Sequence, residues 1–154
     1  MSRCEQVTIT NMCMIYDKKG NILVQNRVNP KWPGVTFPGG HVEHKESFHD
    51  AVVREVLEET GLTIKHPHLC GVKQFTRDDN SRYLVLLYKT NEYEGTLTSS
   101  EEGEVFWIPK ESLKNYTLAS DFDIMYQLFE DEELSEFFYE RSEDSKQDWQ
   151  IHLY

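Results

Sequence analysis

The sequence predicts an α/β fold, and three observations carry that expectation. Short runs of β-branched and apolar residues alternate with stretches of helical pattern, the two kinds interleave without a repeated βαβ unit, and no low-complexity tract interrupts them. With 154 residues the chain has the length of one domain, expected over 1–154, and enough residues to bury a core.

Val7 to Tyr16 has strand character, Asp17-Lys-Lys-Gly-Asn21 supplies a turn, and Ile22 to Arg27 continues as a second strand; together they read as a hairpin. Asn29 to Gly34 is a loop, Val35-Thr-Phe37 a short extended piece, and Pro38-Gly39-Gly40 a sharp turn. The next element is a helix at about 48–60, because Ser47 and Asp50 resemble a capping box and Gly61 suits the left-handed residue that ends a helix. Thr63 to Thr76 and Arg82 to Thr90 read as strands around Asp78-Asp-Asn-Ser81. Another strand is expected at Glu104 to Ile108, followed by helical character at Pro109–Leu113 and Asp121–Phe129. The aromatic-rich tail fits either type of element.

The formal charge of −11 argues against a duplex nucleic acid partner, since such binding depends on lysines and arginines displacing counterions. Much of the excess lies between Glu130 and Asp148 and reads as solvated surface, Glu130-Asp-Glu-Glu133 included. No apolar run approaches the roughly 20 residues that cross a bilayer, and the start, Met-Ser-Arg-Cys-Glu-Gln, lacks an apolar signal region. No membrane partner and a cytoplasmic location are the expectation. Cys4, Cys13 and Cys70 form no Cys-x-x-Cys pair and are expected as reduced thiols.

Chemistry concentrates on the helix at 48–60. Glu55, Glu58 and Glu59 fall within a sector of about 100°, opposite Val53, Val56 and Leu57. Carboxylates three and four residues apart repel and destabilise a bare helix by a few tenths of a kcal/mol per pair. A hard divalent cation offsets that repulsion, and Mg²⁺ characteristically combines a few carboxylates with waters and substrate phosphates. Arg54 is placed to orient a carboxylate through a charge-assisted hydrogen bond.

Gly40, Glu46 after five residues, Arg54-Glu55 after seven more, then Val56, a spacer, Glu58-Glu59, a spacer, Gly61 and Leu62 reproduce the Nudix box without departure. By these residues the chain resembles a Nudix hydrolase of the MutT-like kind. The resemblance implies a mixed β-sheet sandwiched between α-helices, Mg²⁺ (or Mn²⁺) as cofactor, and hydrolysis of a phosphoric anhydride in a small nucleotide. It implies Glu58 and Glu59 as main metal ligands, Glu55 as assistant that holds or deprotonates water, and the carbonyl of Gly39 as a further ligand. Glu46 precedes the helix and reads as a structural partner, with Arg54 the candidate.

Similar enzymes carry another glutamate before a strand ending in Trp, and Ser100 to Trp107 matches in kind, with Glu101 and Glu102 favoured over Glu104. Arg27 and Lys31 occupy the region where similar enzymes meet phosphates. Arg27 is the better candidate because a guanidinium grips phosphate with two bonds. Trp32, Phe37, Phe75 and Tyr83 are candidate walls for a purine, and His41 and His44 are further loop candidates. Asp121 is either a base contact or a helix N-cap. One departure bears on the base: Trp32-Pro33-Gly34 offers no side-chain amide, whereas relatives that read oxidised purines carry an Asn in that loop.

The expected function is Mg²⁺-dependent conversion of a nucleoside triphosphate, 8-oxo-dGTP among the candidates, to a monophosphate and pyrophosphate. Alternatives are hydrolysis of ADP-ribose or another nucleoside diphosphate derivative, and a noncatalytic nucleotide sensor, which would typically have lost box glutamates. The sequence leaves the oligomeric state open.

Overall fold

The computed structural model describes residues 2–142 and 148–154. Residues 143–147, part of the acidic stretch, lie outside the described residues.

Strand β1 (Val7–Ile15) is buried on both faces from Thr10 onward, in keeping with the continuous apolar run Met12-Cys13-Met14-Ile15. Met12 and Met14 enter one core with Phe37, Leu87, Phe122, Met125 and Phe129, while Cys13 and Ile15 enter a second with Val52, Val56, Leu62 and Leu86. Strand β2 (Asn21–Arg27) divides in the same way: Ile22 and Val24 join the first core and Leu23 the second. The strands are therefore the middle layer. Helix α1 (Phe48–Thr60) covers one side, and the short helices α2 (Phe122–Met125) and α3 (Gln127–Glu130) cover the other. This is the mixed sheet between helices that the sequence implied.

A five-stranded sheet runs β1-β6-β5-β9-β10, where β5 is His68–Thr76, β6 Arg82–Thr90, β9 Glu136–Arg141 and β10 Trp149–Leu153. It is mixed, with β1 parallel to β6 and β5 parallel to β9, the other pairs being antiparallel. A three-stranded sheet holds β2 between β3 (Gly34–Thr36) and β8 (Gly103–Pro109). The pair of β4 (Leu62–Lys65) with β7 (Glu92–Gly95) completes the set.

Four expectations are corrected. β1 and β2 do not form a hairpin ladder: they lie in different sheets and share only the bridge Tyr16–Ile22. The reason is that the open edge of β1 is taken by the 38–42 segment, through Asn11 N–H to Gly40 O (2.8 Å), Cys13 N–H to Pro38 O (2.9 Å) and Val42 N–H to Ile9 O (2.9 Å). The expected strand 63–76 is two strands, since His66 has φ 51° and Pro67 supplies no N–H to a ladder. The helical 121–129 segment is two four-residue helices, and 110–115 is a 3-10 turn. Asp121 is not a side-chain N-cap: it has φ 60° and its carboxylate accepts from Tyr139 Oη–H at 2.6 Å. The ambiguous tail is β9 and β10, and β7 had no counterpart in the sequence reading.

Helix α1 ends as its sequence dictates. Ser47 Oγ accepts the Asp50 N–H at 3.0 Å, and Gly61, with φ 76°, returns its N–H to Leu57 O. Ser47→Ala is expected to lower stability by about 1 kcal/mol, read as a drop in the urea midpoint at unchanged m-value. The three cysteines are free thiols, and burial raises Cys13 well above its usual range and Cys70 to about 11.

Candidate active site

The box assembles where α1 faces the 38–42 segment. Hydrogen bonding of that segment to β1 turns the Pro38 and Gly40 carbonyls toward β1, which leaves the Gly39 carbonyl on the side where the Gly39 N–H already donates to Glu59 Oε2 (3.0 Å). Glycine is required here by close approach. A Cβ on Gly39 would collide with the Asn11 carbonyl oxygen, and one on Gly40 with the Glu55 carboxylate.

Arg54 organises the acidic helix. Its Nε and one terminal nitrogen hold both oxygens of Glu46 (2.7 and 2.9 Å), the same terminal nitrogen reaches His41 O (2.9 Å), and the other donates to Glu55 (2.9 Å) and Glu58 (3.4 Å). The expected Glu46–Arg54 pairing is therefore present. The guanidinium holds the Glu46 carboxyl down at about 2, aided by the Glu43 N–H.

Glu59 is the buried member, 6% exposed, with Gln25 Nε2–H donating to Oε2 at 3.2 Å. Burial pushes its pKa up to about 7, and the charges of Glu55 and Glu102 add to the rise against the Gly39 and Gln25 hydrogen bonds. Among the described residues no three His, Cys, Asp or Glu side chains already stand in metal-holding geometry. Arg54 draws Glu55 and Glu58 to itself while Glu59 is held by Gly39 and Gln25. The donors nevertheless suit a hard divalent cation: they are all oxygens, and the charge repulsion at Glu59 is what a cation would relieve.

Glu55, Glu58 and Glu59 line one end of a cleft of about 850 Å³, together with Gly39, Gly40, His41 and Glu102. Of the two favoured loop glutamates the structure brings Glu102 to the cleft; Glu101 is exposed and does not line it. Glu104 is an exposed position of β8 opposite Asn26. Arg27, Lys31 and Trp32 line the cleft, and Arg27 has a buried Nε without a hydrogen-bond partner among the described residues. Its guanidinium lies 5.9 Å from the Trp32 ring centre. Trp32 is fixed by donating Nε1–H to Ser120 O at 3.1 Å. Phe37, Phe75 and Tyr83 also reach the wall, with Phe75 stacked on Tyr83 at 5.3 Å, whereas His44 stays out. Asp121 is not on the wall; Tyr139, whose hydroxyl it accepts, is.

The cleft residues that escaped the sequence reading include Asn11, Lys73, Arg77 and Tyr139. Lys73 is 7% exposed on β5, and burial lowers its ammonium to about 8 against the pull of Asp121. The only signal for it was period-2 spacing from Phe75, which puts both on one face of the strand.

Fold and site together define a hydrolase of phosphoric anhydride bonds. The Nudix domain model matches residues 8–131, and the chain belongs to the Nudix family. An uncharacterized Nudix hydrolase, YvcI of Bacillus subtilis, is 32% identical over 116 residues, covering 72% of this chain and 71% of its own. An ADP-ribose pyrophosphatase of Methanocaldococcus jannaschii is 34% identical over 92 residues, which cover 58% of this chain and only 54% of that protein. Among solved structures, a MutT protein from Bacillus halodurans superposes with a TM-score of 0.75 at 25% identity, covering 94% of this chain and 97% of its own. Nudix hydrolases generally use divalent metal ions. No helix among the described residues is long and apolar enough to cross a membrane.

Proposed function

We propose that this chain hydrolyses a nucleoside triphosphate to a monophosphate and pyrophosphate with Mg²⁺ as cofactor. The observation that carries this reading is the lining of one cleft, which brings together the box carboxylates, the cations Arg27 and Lys31, and aromatic rings. That set suits a metal-bridged polyphosphate joined to a flat base.

In this reading Glu58 and Glu59 are the main ligands, Glu55 assists, and the Gly39 carbonyl supplies a further oxygen. Bound there, Mg²⁺ supplies Lewis acidity toward the phosphate oxygens and the attacking water. Glu102 lines the same cleft and its charge reaches Glu59, and in this reading Glu102 or Glu55 takes the proton of that water. Arg54 holds the carboxylates in register. Arg27 and Lys31 grip the polyphosphate, while Trp32, Phe75 and Tyr83 wall the base. Hydrolysis adds one water across the α–β anhydride, one phosphorus taking the water oxygen and the other leaving with the bridging oxygen, to give the monophosphate and pyrophosphate.

Sanitising of 8-oxo-dGTP is the finer form of the proposal. The second reading is hydrolysis of ADP-ribose, favoured by the name of the M. jannaschii relative. A panel of dGTP, 8-oxo-dGTP, ADP-ribose and diadenosine polyphosphates, ranked by kcat/KM, separates them. A triphosphate is expected to rank first, with activity falling to background in EDTA and returning with Mg²⁺. ADP-ribose in first place overturns the triphosphate reading; turnover undiminished by EDTA overturns the metal assignment.

A further inference from the structure

Lys73 stands at the aromatic end of the cleft in an arrangement that a purely structural lysine does not need. Its Nζ lies 5.1 Å from the Trp32 ring centre, 5.0 Å from that of Tyr139 and 5.3 Å from that of Phe137. All three distances lie within the range of cation–π attraction, which eases the cost of placing a charge at a site only 7% exposed. Attraction by ring faces still satisfies none of the three ammonium N–H donors as an oxygen or nitrogen would. Among the described residues Lys73 has no hydrogen-bond acceptor, and Asp121 acts on it only through its charge while its carboxylate takes the Tyr139 hydroxyl. Among the described residues the buried side-chain atoms without a partner are Asn11 Nδ2 and Arg27 Nε; Lys73 Nζ is not one of them and opens onto the cleft, where a ligand acceptor can take its N–H groups.

The surroundings restrict what the acceptor is. Trp32, Phe75, Tyr83 and Tyr139 line this end, and flat apolar walls suit a heterocycle rather than a hydrated phosphate. Arg27, whose guanidinium lies on the same Trp32 ring, and Lys31 line the cleft and are available to phosphates. A lysine ammonium beside a purine pairs best with the O6 and N7 acceptors of the 6-oxo edge, whereas a 6-amino group would present a donor to a donor.

We propose that Lys73 is a specificity-determining residue that donates to the 6-oxo oxygen of a purine stacked in the aromatic end, so that the cleft selects 6-oxopurine over 6-aminopurine nucleotides. This rests on the reading of the cleft as a nucleotide site but not on which phosphate bond is cut.

Inosine and adenosine nucleotides differ only in the group at C6 and the accompanying proton at N1, and form the test. IMP and AMP binding to the wild-type protein and to Lys73→Met is measured by calorimetry, and ITP and ATP hydrolysis by kcat/KM with Mg²⁺. The wild type is expected to bind IMP about 10-fold or more tightly than AMP, and Lys73→Met to bring the two affinities within about 3-fold, chiefly by losing IMP. Equal affinities in the wild type, binding of neither nucleotide, or a preference that survives in a folded Lys73→Met protein each overturn the proposal. Equal wild-type affinities overturn the proposal even if the variant fails to fold. An IMP preference without hydrolysis of ITP or ATP leaves Lys73 as the base reader and rejects the triphosphate reading.

Discussion

Glu59→Gln is expected to reduce kcat/KM by about 10³-fold or more, roughly 4 kcal/mol of transition-state stabilisation, while raising the stability of the metal-free protein at alkaline pH. Both effects follow from one placement. Glu59 carries its carboxylate into a site 6% exposed, next to Gly39 and within reach of the charges of Glu55 and Glu102. Its pKa is raised to about 7, so the native state holds its proton more tightly than the unfolded chain does. The associated stability is fully present below about pH 4.5 and is lost as pH rises through 7. At pH 8 the ionised carboxylate costs the metal-free fold up to about 3 kcal/mol, and glutamine, with no charge to bury, removes that cost. Mg²⁺ should accordingly raise the melting temperature of the wild type more at pH 8 than at pH 5.5, and that of Glu59→Gln little at either. Melting curves at the two pH values, with and without Mg²⁺, check this. Near-normal turnover of Glu59→Gln, or a metal-free melting point at pH 8 no higher than the wild type's, would remove Glu59 from the role assigned to it.

Arg54→Lys is expected to lower kcat/KM about 10²-fold although it conserves charge. Arg54 distributes five hydrogen bonds over Glu46, Glu55, Glu58 and His41. A planar fork reaches these partners together; an ammonium on a flexible stem cannot. Losing the bidentate grip on Glu46 frees the 41–46 loop, and releasing Glu55 and Glu58 alters the register of the acidic end. Misplacement by about 1 Å at a reacting site is enough for a loss of this size. The expected signature is weakened Mg²⁺ activation, with saturation at higher metal concentration, and partial recovery of rate in excess Mg²⁺. An Arg54→Lys enzyme with unchanged metal dependence would show that the guanidinium serves only the fold.

The acidic helix was legible because its information is local. Spacing from Ser47 to Gly61 fixes both ends of α1, and 3.6 residues per turn then gathers Glu55, Glu58 and Glu59 on one sector without help from the rest of the chain. The pairing of Glu46 with Arg54 was legible for the same reason, since only eight residues separate them. Strand pairing was not, because the backbone donors of β1 accept any partner that arrives. The turn at 17–21 looked like a hairpin until the 38–42 segment occupied that edge.

By itself, then, the sequence determined the helix, its carboxylates and the glycine turn, and through them the class of reaction. Only the tertiary structure decided what the far end of the cleft contains. Lys73, Trp32 and Tyr139 stand 41 and 66 positions apart in successive steps of the chain's numbering from 32 to 73 to 139, and no periodic pattern links them. They meet because β5 pairs with β6 and β9 and because Trp32 is tied to Ser120. A charge buried among rings is a property of that meeting, whereas a charge on a helix face is a property of the helix.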